Sequence, residues 1–184
     1  MSLNINNDIE RILITEEELN VRCKELSLKI SEDYAGKKPL VICTLKGAVS
    51  FFSKLAEQIT IPLEYDFVKA KSYEGTSSTG NVKFQYMPGT SLEGRHVIVI
   101  EDIVDTGRTL DAIIKEFEKL NPASIELACL LDKPSMRVVE ALTPKYVGFK
   151  VPNEFVVGFG LDYDEEYRNL PYVGILKPEI YTKQ

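Results

Sequence analysis

Apolar residues along this chain fall into two rhythms, short unbroken runs and stripes spaced three or four positions apart. Residues 39–45 (Pro-Leu-Val-Ile-Cys-Thr-Leu) form an unbroken run, as expected of a strand covered on both faces in a parallel sheet. Residues 97–100 (Val-Ile-Val-Ile) are the clearest buried strand, and 125–131 are a further one. Weaker strand signals lie at 63–70, 146–151 and 155–158. Helical stripes separate these runs. Thr15-Glu16-Glu17-Glu18 sets a capping residue three before a glutamate, the capping-box pattern. It opens a helix reaching about residue 33, with Leu19, Val21, Leu26 and Ile30 as its apolar stripe. After the break at Lys46-Gly47, residues 48–59 set Val49, Phe52, Leu55 and Ala56 on one helical face, and 110–120 are amphipathic. Strands alternating with helices imply right-handed crossovers and a mostly parallel sheet. The pattern predicts a single α/β domain over residues 1–184, without repeats, low-complexity tracts or linkers.

Composition narrows this picture. A chain of 184 residues buries roughly 70% of its unfolded surface, so its core needs no disulfide or structural metal. Hydrophobic residues at 44% and charged residues at 27% exclude a disordered or fibrous chain. No apolar stretch approaches the roughly 18 residues of a membrane span. Asp8, Glu10 and Arg11 sit where a secretion signal needs an apolar core. Cys23, Cys43 and Cys129 are odd in number and far apart, a pattern of reduced thiols in a cytoplasmic protein. The net charge of −6 argues against general nucleic-acid binding, but not against a small phosphorylated substrate that senses one cleft. His96 is the one histidine, which excludes zinc sites built from several. It stands at the start of its strand, roughly 16 Å from Glu101 at about 3.3 Å per residue.

Sheets of this kind bind ligands beyond the carboxyl ends of their strands, in loops that lead into helices. The strand at 97–100 ends there in Glu101-Asp102-Ile103-Val104-Asp105-Thr106-Gly107-Arg108-Thr109. Adjacent carboxylates point to opposite sides of a strand end, so Glu101 and Asp102 can grip two hydroxyls or a hydrated Mg²⁺. Thr106, Gly107 and Thr109 open a helix whose free N–H groups and positive dipole end form an anion site. Gly107 lets backbone approach the anion closely. Hydroxyls on one side and an anion on the other suit a sugar phosphate; a polar loop with an acidic cap is the plainer alternative. Residues 71–81 hold two glycines and, besides Tyr73, no apolar anchor. They read either as a surface hairpin or as a lid that keeps water from a reactive site.

Residues 97–110 resemble the ribose-phosphate signature of the type I phosphoribosyltransferases, which bind 5-phosphoribosyl 1-diphosphate (PRPP). Leu45-Lys46-Gly47 is similar to that family's pyrophosphate loop, and Ser72-Tyr73 to its closing lid. Leu131-Asp132-Lys133-Pro134 resembles the strand end bearing a purine-contacting lysine. Residues 155–163 with Tyr167-Arg168 resemble the purine-stacking and pyrophosphate segment. The likeness covers roughly residues 14–175 and points to the branch that uses 6-oxopurines. It implies a type I phosphoribosyltransferase-like α/β fold, a central mostly parallel sheet flanked by helices, with a small hood from the N-terminal and C-terminal segments.

The resemblance also implies roles. Glu101, Asp102, Asp105, Thr106, Gly107, Arg108 and Thr109 would hold the ribose phosphate, with Asp105 as general base. Lys46, Gly47 and Arg168 would meet the pyrophosphate, and Ser72 and Tyr73 would close the lid. Lys133, Phe155, Val156 and Asp162 would meet the purine, and Glu101, Asp102 and Asp162 would lie at Mg²⁺. The implied partners are PRPP and a 6-oxopurine within a homo-oligomer, tetramer or dimer, with no nucleic acid or membrane. Regulators that share the signature carry a DNA-binding domain, and these 184 residues hold no basic helix for one. The Lys133 and Phe155 segments argue against orotate and leave xanthine open.

Overall fold

A computed structural model describes residues 4–72 and 82–182 of the chain. Helix α1, Glu16–Asp33, starts as its sequence dictates. The Glu18 N–H donates to the Thr15 hydroxyl at 3.2 Å, and the Thr15 N–H donates to the Glu18 carboxylate at 2.8 Å. Leu19, Cys23, Leu26 and Ile30 are buried, whereas Val21 is 55% exposed. Two residues of helix turn the chain by about 200°, which carries Val21 away from the stripe that Leu19 begins. In α2, Val49–Ala56, the buried stripe is Ala48, Phe51, Phe52 and Leu55, with Val49 turned outward. That spacing follows the helical repeat more closely than the predicted set headed by Val49. The helix also stops three residues short of the predicted end at 59.

The strands β2 (Leu40–Thr44), β3 (Glu64–Ser72), β4 (Val82–Tyr86), β5 (His96–Val104), β6 (Ser124–Asp132) and β7 (Tyr146–Lys150) form one sheet in the order β4-β3-β2-β5-β6-β7. Its pairs are parallel except for β4, which closes one edge antiparallel to β3. Alternation along β5 divides the core. Ile98 and Ile100 join Leu19, Ile30 and Phe51 on the α1 and α2 face. Val97 and Val99 join Leu110, Ile113 and Phe117 of α3, Arg108–Glu118, on the other face. The apolar run predicts that this strand ends at residue 100, yet the ladder carries it four residues further. The reason is β6, which continues beside it and sets Cys129 opposite Glu101 and Leu131 opposite Ile103. Glu101 and Asp102 therefore project from within the strand.

A second, antiparallel sheet has the order β1-β9-β8, from β1 (Ile9–Ile14), β8 (Val156–Val157) and β9 (Val173–Leu176). It pairs Ile9 with Leu176, a register no local pattern announces. The short α4, Pro178–Tyr181, follows it.

Candidate active site

Three loops at the carboxyl ends of β2, β5 and β6 meet, and glycines let them meet closely. The Thr44 hydroxyl, at the end of β2, donates to the Ile100 carbonyl at 3.0 Å. The next peptide, Leu45–Lys46, is cis. A Cβ on Gly47 would stand 1.5 Å from Asp102 Oδ2, so only a bare glycine lets this loop lie on that carboxyl group. Gly160, at φ +101°, backs onto the Gly47 carbonyl in turn, where a Cβ would come within 2.1 Å. The loop is thus held between β5 and the segment after β8.

Within β5, Asp102 Oδ1 accepts the Ile103 N–H at 2.7 Å, and Glu101 Oε1 accepts the Asp102 N–H at 3.3 Å. Burial, and after it the charge of Asp102, push the Glu101 carboxyl well above the usual carboxylate range; a hydrogen bond with Thr44 opposes them. Past the strand, the exposed Asp105 accepts the Thr106 N–H at 2.5 Å. Gly107, at φ +79°, is the N-cap of α3, whose first residues are Arg108 and Thr109. Any Cβ on Gly107 would also strike Leu142, 2.8 Å away.

One residue that the sequence did not single out holds this turn. Arg137 donates through Nε to the Asp105 carbonyl at 3.0 Å and through Nη1 to the Leu142 carbonyl at 2.5 Å, and its Nη2 is paired with Asp132. The Thr106 carbonyl accepts from the Val138 and Val139 N–H groups at 3.1 and 3.2 Å. An arginine in a loop five residues past a strand carries no local signature, and its partners are evident only in three dimensions.

Lys133 joins the same turn. Its N–H donates to the Val104 carbonyl at 2.9 Å and its ammonium to the Glu154 carbonyl at 2.7 Å. Burial lowers the pKa of this ammonium, against the opposing charges of Asp105 and Glu154. Phe155 is 38% exposed, stacked on Tyr181 (4.8 Å between centroids, 18° between planes) and perpendicular to Tyr163 at 5.5 Å. The buried Val156 pairs with Ile175 of β9.

A charged cluster closes the other side. Asp162 Oδ1 pairs with Arg168 Nη2 at 2.8 Å, and its Oδ2 accepts the Glu165 N–H at 3.0 Å. Arg168 Nη1 donates to the Gly160 carbonyl at 2.8 Å, while its buried Nε finds no partner among the described residues. Glu165 Oε2 lies 2.8 Å from Lys46 Nζ and 3.4 Å from Arg168 Nη2, so one carboxylate bridges both cations. The Lys46 hydrogen bond, before any other contact, lowers its pKa.

The structure thus gathers Lys46, Gly47, Glu101, Asp102, Asp162 and Arg168 in one cluster and joins Asp105, Thr106, Gly107 and Lys133 in another on the same strand end. Ser72 ends β3, and Tyr73 lies outside the described residues. Among the described residues, no group of three or more His, Cys, Asp or Glu side chains could hold a metal ion. His96 sits at the opposite end of β5 against Ser124, at 2.8 Å. The cysteines are buried, and burial pushes the Cys43 thiol up to about 12 and Cys23 to about 11, so neither is a nucleophile. A concavity of about 420 Å³ beside α3, lined by Asp111, Ile114, Glu118 and Thr143, includes none of the site residues.

Carboxylates, a glycine-capped helix start and two cations thus lie around neighbouring strand ends, and residues 11–164 match the model of the phosphoribosyl transferase domain. The chain is 51% identical over 180 residues to a hypoxanthine-guanine phosphoribosyltransferase of Streptococcus thermophilus, covering 97% of this chain and 99% of that one. It is 49% identical over 181 residues to another from Lactococcus lactis, covering 98% of each. A crystal structure of a hypoxanthine phosphoribosyltransferase from Staphylococcus aureus superposes with a TM-score of 0.94 at 45% identity, covering 99% of both chains. The chain belongs to the hypoxanthine(-guanine) phosphoribosyltransferase family and has the type I phosphoribosyltransferase fold.

Proposed function

We propose that this chain serves purine salvage, transferring the 5-phosphoribosyl group of PRPP to hypoxanthine or guanine to give IMP or GMP and pyrophosphate. The observation that carries the reading is the Glu101–Asp102 pair on the strand that leads into the Gly107-capped start of α3. In this reading the two carboxylates grip the ribose hydroxyls, and the N–H groups around Thr106, Gly107, Arg108 and Thr109 receive the 5′-phosphate. N9 of the base attacks ribose C1 as the bond from C1 to the pyrophosphate oxygen breaks. Positive charge then builds on the sugar, as in glycoside cleavage, and negative charge on the leaving group. Lys46 and Arg168 meet that leaving group, Arg168 as a fork, together with the open backbone at Gly47. Asp105 takes the proton at N7. Lys133 turns its ammonium from the Glu154 carbonyl to the 6-oxo group, Phe155 stacks on the ring, and the Val156 backbone and Asp162 meet its edge. Ser72 and Tyr73 belong to the lid that keeps water from the cation.

The Glu101–Asp102 pair has the chemistry of a partial Mg²⁺ site. Glu101 and Asp102 offer hard oxygen ligands, and the desolvated charge that raises Glu101 is what a divalent cation relieves. Asp162 is engaged by Arg168 and the Glu165 N–H and does not group with them in this arrangement, so to serve as a third ligand it would have to release Arg168 and move. When bound, the ion would neutralise charge on the leaving pyrophosphate. The whole chain acts as one phosphoribosyltransferase domain with the β1-β9-β8 sheet as its hood, in a cytoplasmic homo-oligomer, tetramer or dimer. Among the described residues, no helix is long and apolar enough to cross a membrane.

Asp105→Asn tests the mechanism. Turnover falls by about 10²–10⁴, the usual worth of a positioned base, while the KM for PRPP holds. An unchanged turnover removes Asp105 from this role. Assays with hypoxanthine, guanine, xanthine and adenine, with and without Mg²⁺, test the substrate class.

A further inference from the structure

Phe155 is a large apolar side chain left 38% exposed on the short connection between β7 and β8. An isolated phenylalanine there would turn freely about χ1 and χ2. Two rings prevent this. Tyr163 meets it edge to face at 5.5 Å and 86°, and Tyr181 lies flat on it at 4.8 Å and 18°. The Tyr181 contact is built into the backbone. The Leu176 N–H donates to the Phe155 carbonyl at 3.0 Å, which fixes the start of α4 relative to Phe155 itself. The Lys177 N–H donates to the Asp8 carbonyl at 2.9 Å and Lys177 Nζ to the Asn7 carbonyl at 2.7 Å. Ile180 and Tyr181 then pack on the cluster of Val157, Tyr167, Leu170 and Leu176. The ring of Tyr181 is therefore delivered to one face of Phe155 by a braced turn. A six-carbon ring stacked on one side and still 38% exposed offers a fixed platform for a second planar ring.

We propose that Tyr181 is a positioning residue for the base: it holds the Phe155 ring in the plane on which the purine stacks. The inference rests on the reading of Phe155 as the base platform. Phe155 then presents its remaining face already oriented, so the base loses less freedom on binding. Tyr181 itself does not touch the base.

The test is steady-state kinetics of the full chain with hypoxanthine and PRPP varied separately. Tyr181→Ala raises the KM for hypoxanthine by about three- to tenfold, the scale of one aromatic pair. The KM for PRPP and kcat stay within about twofold, and Tyr181→Phe, which keeps the ring, behaves as the parent does. In a Phe155→Leu background, Tyr181→Ala adds nothing, because its effect passes through Phe155. The inference is overturned if Tyr181→Ala leaves the hypoxanthine KM unchanged, lowers it, or raises both KM values alike. It is equally overturned if Tyr181→Ala costs as much in the Phe155→Leu background. If Phe155→Leu alone leaves the hypoxanthine KM untouched, the platform reading itself fails, an outcome separate from failure of Tyr181 alone.

Discussion

Glu165 occupies, within the chain itself, the position of an anion. It stands between Lys46 and Arg168, the two cations proposed to receive pyrophosphate, and the Lys46 hydrogen bond lowers its pKa below the usual carboxylate value. Lys46 and Glu165 are 51% and 63% exposed, and exposed ion pairs hold weakly. A substrate diphosphate with several charges displaces such a pair readily, so Glu165 competes for the cations only weakly. Glu165→Gln should therefore lower the KM for PRPP by no more than about fivefold, and inorganic pyrophosphate should inhibit this variant more strongly. A higher KM would mean that Glu165 organises the cations and does not compete for them. The glycines act at the same scale in the opposite sense: at Gly47 and Gly160 the missing Cβ is what allows backbone to rest on carboxylate and on backbone.

Three strands of the main sheet each deliver one part of the site because parallel strands end on the same side. β2 brings Lys46 and Gly47, β5 brings Glu101 and Asp102 and leads into the turn at Asp105, and β6 ends beside Lys133. Helix α1 carries none of these groups and serves the core through Leu19, Cys23, Leu26 and Ile30. Its capping box satisfies N–H groups that the first turn would leave without partners. Thr15→Ala should cost about 1 kcal/mol of stability. For a chain of this length that is roughly 2–4 °C in Tm, which a thermal melt reads. Turnover below the melting range should stay at the parent value, since α1 carries none of the site residues.

For the molecule as a whole, acid stability depends on carboxylates that the fold has tied to backbone. Asp66 is 9% exposed and ties β3 to the connection after β4, accepting the Phe67 N–H at 2.7 Å and the Thr90 N–H at 2.9 Å. Burial alone would raise its pKa, but these N–H groups outweigh it and bring the value below 3.8. The unfolded chain thus takes up this proton first as the pH falls. The stabilisation is complete above 3.8 and is lost as the pH drops through the lower folded value. Asp66→Asn should lower the urea midpoint near neutrality, yet lose less of it than the parent chain on acidification below 3.8. Equal losses in the two proteins would show that other carboxylates govern the acid limb.

Much of this molecule is determined by interactions within a few residues, and these were legible in the sequence. The capping box at Thr15, the buried run of β2 and the strand-to-helix turn with Gly107 at its corner each follow from local periodicity and cap chemistry. They suffice for the α/β alternation and for setting the acidic, glycine-bearing turn of residues 101–109 at a strand end. Tertiary structure alone decided the rest. The extension of β5 to Val104 depends on β6, and Lys46 meets Glu165 across 119 positions of sequence. The Arg137 clamp and the Tyr181 ring on Phe155 likewise join segments whose own patterns are silent about each other. The cause is physical: a helix cap or strand alternation is set by neighbours along the chain, whereas these contacts exist only after crossovers bring distant strand ends to one edge.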